Sequence, residues 1–150
     1  MRNRLQILVG TITASTILVA CGGGGEIKKA DYALSCRSDK NGMSVTFVVG
    51  GDRGIYTGLH SQQYMKLKDT SPSTRTFINE YEWTTFYGPL EKRDKEGKYE
   101  FSRDNSRVNY FYVSADGQKS MDPFSCELAQ DPQAILQDAK QWLISKQQAK

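Results

Sequence analysis

The chain has 150 residues, a quarter of them charged, and a formal net charge of +3. Arg2 and Arg4 are two of its 20 basic residues; without them 18 basic residues face 17 acidic ones, which excludes the clustered basic surplus that nucleic acid selects. Beyond the first segment about 130 residues remain, enough for one domain with a modest core.

Residues 1 to 20 begin basic and continue apolar from Leu5 to Ala20, diluted by Thr11, Thr13 and Ser15. That layout predicts an export signal, because a spanning helix needs about 20 mostly apolar residues. Gly22 to Gly25 follow Cys21 and predict a flexible tether over residues 21–29, with the folded domain at 30–150. A phosphate-cradling loop would require Gly-Lys-Ser/Thr after the glycines, and none follows.

Leu18-Val19-Ala20-Cys21 resembles the lipobox of bacterial lipoproteins. The resemblance implies cleavage of the signal peptide between Ala20 and Cys21, a diacylglycerol thioether on Cys21 and acylation of the new N-terminus by a fatty acid such as palmitate. Two or more chains give the stable anchoring that one cannot. Cys21 is then an anchor, its lipid the only non-protein group expected. Gly22 stands where an aspartate would imply inner-membrane retention, so the implied location is the outer membrane of a bacterial cell envelope.

Cys36 and Cys126 remain, an even number in a chain destined for an oxidising compartment, which predicts a disulfide. A zinc site would need more ligands, and His60, the single histidine, has no cysteine near it in sequence.

From Tyr32 the pattern alternates. Tyr32, Leu34 and Cys36 share one face of a first strand, Asn41-Gly42 predicts a hairpin turn, and Met43, Val45, Phe47 and Val49 alternate through the return. Gly50 to Gly54 turn the chain into Ile55–Leu59; a helix does not follow, so no dinucleotide loop is predicted. Shorter strands are predicted at 64–67 and 74–79, and a stronger one over Tyr81, Trp83, Thr85 and Tyr87, stopped by Gly88-Pro89. Residues 91–98 mix charges of both signs as a solvated hairpin tip, and strands follow at 99–103, 108–114 and 124–128.

The period then changes. Asp131 is placed as an N-cap, Pro132 at the first helical position, and Ile135, Leu136, Ala139, Trp142, Leu143 and Lys146 form a stripe, predicting a helix over 132–147 that packs on the strands through Trp142. Cys36 in the first strand and Cys126 in the last can bridge only if the chain's ends meet. The fold expected is therefore mainly β: an antiparallel meander closed as a small barrel or a sandwich, with one C-terminal helix.

Chemistry is sparse. His60 lies in a polar turn without a partnered nucleophile, and Glu80, Glu82, Glu100 and Asp104 form no pair at a fixed separation. Glutamates alternating with aromatics in Glu80-Tyr81-Glu82-Trp83 are expected on the outer face of the strand. No loop has the dense Asp/Asn spacing of a calcium site, so neither a catalytic nor a metal site is expected. Trp83, Tyr87, Tyr110 and Tyr112 are the candidates for a partner-binding patch, since aromatics are enriched in hot spots, although they are also ordinary strand formers.

The expected function is a lipid-anchored, non-catalytic binding module whose partners are proteins or glycans of the envelope. Small envelope lipoproteins that inhibit lysozyme are similar in size and plan, but residues 60–66, His-Ser-Gln-Gln-Tyr-Met-Lys, lack the glycine pattern of an inhibitory loop. A small-molecule carrier with an aromatic-lined barrel is the other alternative, and it requires an enclosed apolar cavity.

Overall fold

The computed structural model describes residues 26–86 and 88–149. The expected signal peptide, Cys21 and its glycine tether lie outside those residues, as does Tyr87.

Nine strands precede one helix: β1 (Tyr32–Ser38), β2 (Ser44–Gly50), β3 (Arg53–Thr57), β4 (Ser61–Thr70), β5 (Thr74–Thr84), β6 (Glu91–Arg93), β7 (Lys98–Ser102), β8 (Arg107–Val113), β9 (Lys119–Leu128) and α1 (Pro132–Gln148). Every pairing is antiparallel. The order runs β4-β3-β2-β1-β9-β8-β7-β5 and returns through β4–β5, so eight strands close into a barrel, while β6 pairs only with the end of β5. Of the two closures open from sequence, the chain adopts the barrel, and its seam joins the first strand to the last.

Alternation along β1 and β2 supplies both faces of the wall. Leu34, Cys36, Val45, Phe47 and Val49 point inward. Phe47 is fully buried and meets Tyr56, Tyr99, Phe101 and Phe124 at centroid separations of 5.4, 5.3, 5.3 and 5.8 Å. These tilted and edge-on contacts are the favoured geometries of aromatic pairs. Rings thus fill the barrel axis, which leaves a carrier's lumen no room at this level.

Outward-facing Ala33, Val48 and Ile55 form a second cluster with Leu136 and Ala139 of α1. The helix begins as its sequence dictates: the Asp131 carboxylate accepts a hydrogen bond from the Ala134 N–H at 2.9 Å, and Pro132 follows it. Its buried contact is narrower than expected, because a straight helix touches a convex barrel over few turns; Leu136 and Ala139 are buried, whereas Trp142 and Leu143 are only half-buried. The domain also starts earlier than residue 30. Ile27 and Ala30 are buried in this outer cluster, the Gln133 side chain accepts from the Ala30 N–H at 3.1 Å, and Lys140 pairs with Glu26 at 2.9 Å.

The predicted strands 74–79 and 81–87 are one strand, β5, interrupted by a register shift against β4 at Tyr64/Met65. Met65 pairs with Asn79 and Tyr64 with Tyr81, so Glu80 is an extra residue. A bulge of this kind changes which face each following side chain takes. Phe77 belongs to the interior cluster, yet Tyr81 stacks at 4.8 Å on Tyr64, which packs on the outer one. Glu82 turns inward and accepts from the amide of the buried Gln63 at 3.1 Å. The expectation for this stretch is therefore reversed beyond the bulge: the aromatics face out and Glu82 faces in.

Candidate interaction surface

The barrel has two unlike ends. At one, the segment before β1 docks beside the β2–β3 turn, where the Asp31 N–H donates to the Val49 carbonyl at 2.8 Å and the Asp31 carboxylate accepts from the Gly51 N–H at 2.7 Å. At the other end of β3 the chain turns through Gly58, Leu59 and His60 into β4.

β4–β5 pairing brings that turn against Thr85 and Phe86. The His60 carbonyl accepts from the Thr85 N–H at 2.8 Å and from its hydroxyl at 3.2 Å, while the Thr84 hydroxyl accepts from the Phe86 N–H at 3.2 Å. These bonds hold the two turns as one tip, in which the His60 ring meets the Phe86 ring edge-on at 5.7 Å. Leu59 is 64% exposed and Phe86 63%, the most exposed large apolar side chains among the described residues. No Asp, Glu, Lys or Arg occurs at 54–65 or at 83–90, although a quarter of the chain is charged. The tip is thus neutral, apolar and fixed by backbone hydrogen bonds.

The three described aromatic candidates, Trp83, Tyr110 and Tyr112, do not form one patch. Trp83 is half-buried on the outer face, where its register partner Gln62 donates to the Ala139 carbonyl of α1 at 2.7 Å. Tyr110 lies inside, 7% exposed, stacked between Tyr99 at 4.3 Å and Tyr112 at 5.0 Å. Burial pushes the Tyr110 hydroxyl far above its usual range. Tyr112 packs against the same interior cluster, and the outward residue of that run is Phe111, with Lys98 Nζ 4.8 Å from its ring centroid. Of the three described candidates, Trp83 is the one placed near the tip. Leu59 and Phe86 were missed because the sequence pattern puts them inside the expected strands 55–59 and 81–87; the absence of charge around them was the signal.

Several interior polar groups meet around Gln63. Gln63 accepts from the hydroxyl of Tyr99 at 2.5 Å and from Asn79 at 2.8 Å and donates to Glu82, whose other oxygen lies 3.6 Å from Lys95 Nζ. Glu80 pairs with Arg53, Glu100 with Lys98 at 2.7 Å, and Asp104 accepts from the hydroxyls of Ser102 and Ser106. The four carboxylates noted in the sequence each sit against their own partner. No group of three or more His, Cys, Asp or Glu side chains converges as a metal site among the described residues. Residues Ser61 to Lys66 of the stretch compared with an inhibitory loop belong to β4, which pairs with β3 and β5, so only His60 of it lies in a turn.

Comparison of the chain with known protein families, with curated proteins and with solved structures gives no match.

Proposed function

We propose that the protein is an envelope lipoprotein, held at the outer membrane by diacylglycerol on Cys21, whose barrel binds another envelope component through its neutral tip and performs no catalysis. The observation that carries the reading is the exposure of both Leu59 and Phe86 on a tip without charged residues that is held by backbone hydrogen bonds. Exposed apolar side chains on a fixed frame cost little entropy on binding and gain the burial they lack in the free protein. The tip lies at the opposite end of β3 from the docked segment 26–31, so an anchor at Cys21 leaves it pointing away from the membrane. Between Cys21 and Glu26 the chain spans at most roughly 17 Å.

The test is a photo-crosslinking residue placed at Leu59 or Phe86 in whole cells, with a third at Pro72 in the β4–β5 turn as control. A discrete adduct from the first two positions and not from the third is expected. Equal adducts from all three, or none, remove the tip from the reading. The anchor is checked separately: Cys21→Ser is expected to abolish fatty-acid labelling, and undiminished labelling overturns it.

A further inference from the structure

A concavity of the described surface begins beside the tip, at Gly58 and Leu59. It is a trough of about 810 Å³ on the outside of β9, β1, β2 and β3, beside the patch that α1 covers. The strand register lays its lining out in two rows. Glu127, Ser35, Thr46 and Thr57 stand opposite one another across the four strands; Ser125, Arg37 and Ser44 form the next row. The inward-facing Cys36, Val45 and Cys126 lie between the rows, and Gly58 and Leu59 continue the lining past Thr57.

Several charges along the strands and turns pair: Arg107 with Asp39 at 2.7 Å, Lys40 with Asp122 at 2.6 Å, Lys98 with Glu100 at 2.7 Å. Arg37 and Glu127 are opposite in sign and diagonal neighbours across the β1–β9 seam, yet neither forms an ion pair or a side-chain hydrogen bond among the described residues. The hydroxyl of Ser35, which neighbours both, and those of Ser44 and Thr46 on the β2 side of Arg37 and Ser35 are equally unengaged. A cation, an anion and three hydroxyls therefore line one trough without a partner among the described residues.

We infer that the trough binds a short peptide bearing a free ammonium and a free carboxylate. The Arg37 guanidinium presents the planar fork that takes a carboxylate, and Glu127 accepts the ammonium. The Ser35 hydroxyl beside both charges donates and accepts, matching a peptide N–H or C=O group between them. Diagonal neighbours on a sheet stand about 7–8 Å apart, and an extended chain covers about 3.3–3.6 Å per residue, so two or three residues fit the separation. No aromatic ring lines the trough, so nothing there stacks on a sugar. The strands beneath are paired on both sides, so the peptide is held by side chains and not by strand addition.

Titration of the ¹⁵N-labelled full chain with tri-alanine, its termini free, tests the inference against N-acetyl-tri-alanine amide. Saturable shifts at the amides of Ser35, Arg37, Thr46 and Glu127 are expected with the free peptide and none with the capped one. Arg37→Gln and Glu127→Gln, both at exposed positions, are each expected to weaken binding about fivefold with the other resonances unmoved. Absence of saturable shifts at about 10 mM peptide, a free energy too small to matter, overturns the inference. Equal shifts with the capped peptide, or affinity unchanged in both variants, overturn it as well.

Discussion

Cys36 and Cys126 stand directly opposite each other on β1 and β9, their Cα atoms 4.1 Å apart and their sulfurs bonded. The Cys126 N–H donates to the Ser106 carbonyl on the β8 side, so toward β1 this pair carries no ladder hydrogen bond, the position where opposing strands approach closest. The bond joins the barrel's first and last strands across a sequence separation of 90. Closing so long a loop restricts the unfolded chain, and replacing both cysteines by alanine is expected to cost roughly 2–5 kcal/mol. Guanidinium unfolding of the double variant measures it; an unchanged midpoint removes the seam bond from the barrel's stability.

Phe47 is the ring around which the interior is organised, in contact with four others. Phe47→Ala leaves a cavity that β-strand backbone cannot collapse to fill, and a loss of about 3–5 kcal/mol is expected. Trp142→Ala, at a half-buried helical site, is expected to cost distinctly less. Equal losses in chemical denaturation would contradict the placement of the core in the barrel and not under the end of the helix.

The antiparallel meander and the meeting of its first and last strands were legible because alternation and two cysteines suffice to state them. The division at β5, the short β6 and the choice of barrel over sandwich were not. The inward faces of β1 and β2 follow from period two alone. What alternation cannot carry is the bulge at Glu80, since one inserted residue leaves the local pattern intact and exchanges the faces beyond it. Tyr81 and Trp83 were therefore assigned to the wrong side. Gly97 illustrates a second limit. It reads as the end of a solvated hairpin, but a Cβ there would lie 2.5 Å from the Tyr110 ring, so the glycine is needed where a ring presses on the backbone of another strand. Neighbours brought together by closure leave no local trace.

Alkaline titration reports the buried hydroxyls. Burial pushes Tyr32, Tyr56 and Tyr64 up to about 12, and Tyr99, sealed in the interior, well above its ordinary range. A hydroxyl held protonated in the folded state contributes stability that is complete below the unfolded value near 10. That contribution is lost as pH rises through 12. Tyrosinate absorbance of the native protein is expected to lag that of the chain in guanidinium near pH 10 and to rise together with unfolding near 12. A native curve that overlays the denatured one would show these hydroxyls to be open to water.

The β7–β8 turn supplies the acid counterpart. Asp104 accepts from the Ser102 hydroxyl at 2.6 Å, the Ser106 N–H at 3.0 Å and the Ser106 hydroxyl at 2.8 Å, while Asn105 takes the left-handed conformation with φ 60°. These donors favour the charged carboxylate, the Ser102 bond most, and hold it down at about 2. The group is depressed below its unfolded value of 3.8, so its contribution is present above pH 3.8 and lost as pH falls through about 2. The carboxyl is open to solvent, which confines the effect to the turn. Carbon-detected titration is expected to give a midpoint near 2 for Asp104 and to move it toward 3.8 in Ser102→Ala. Amide exchange at Ser106 and Arg107 is expected to quicken over the same interval in the native sequence and not in Asp104→Asn, which lacks the titrating group. An ordinary aspartate midpoint in the native sequence would mean that the turn is not held by its carboxylate.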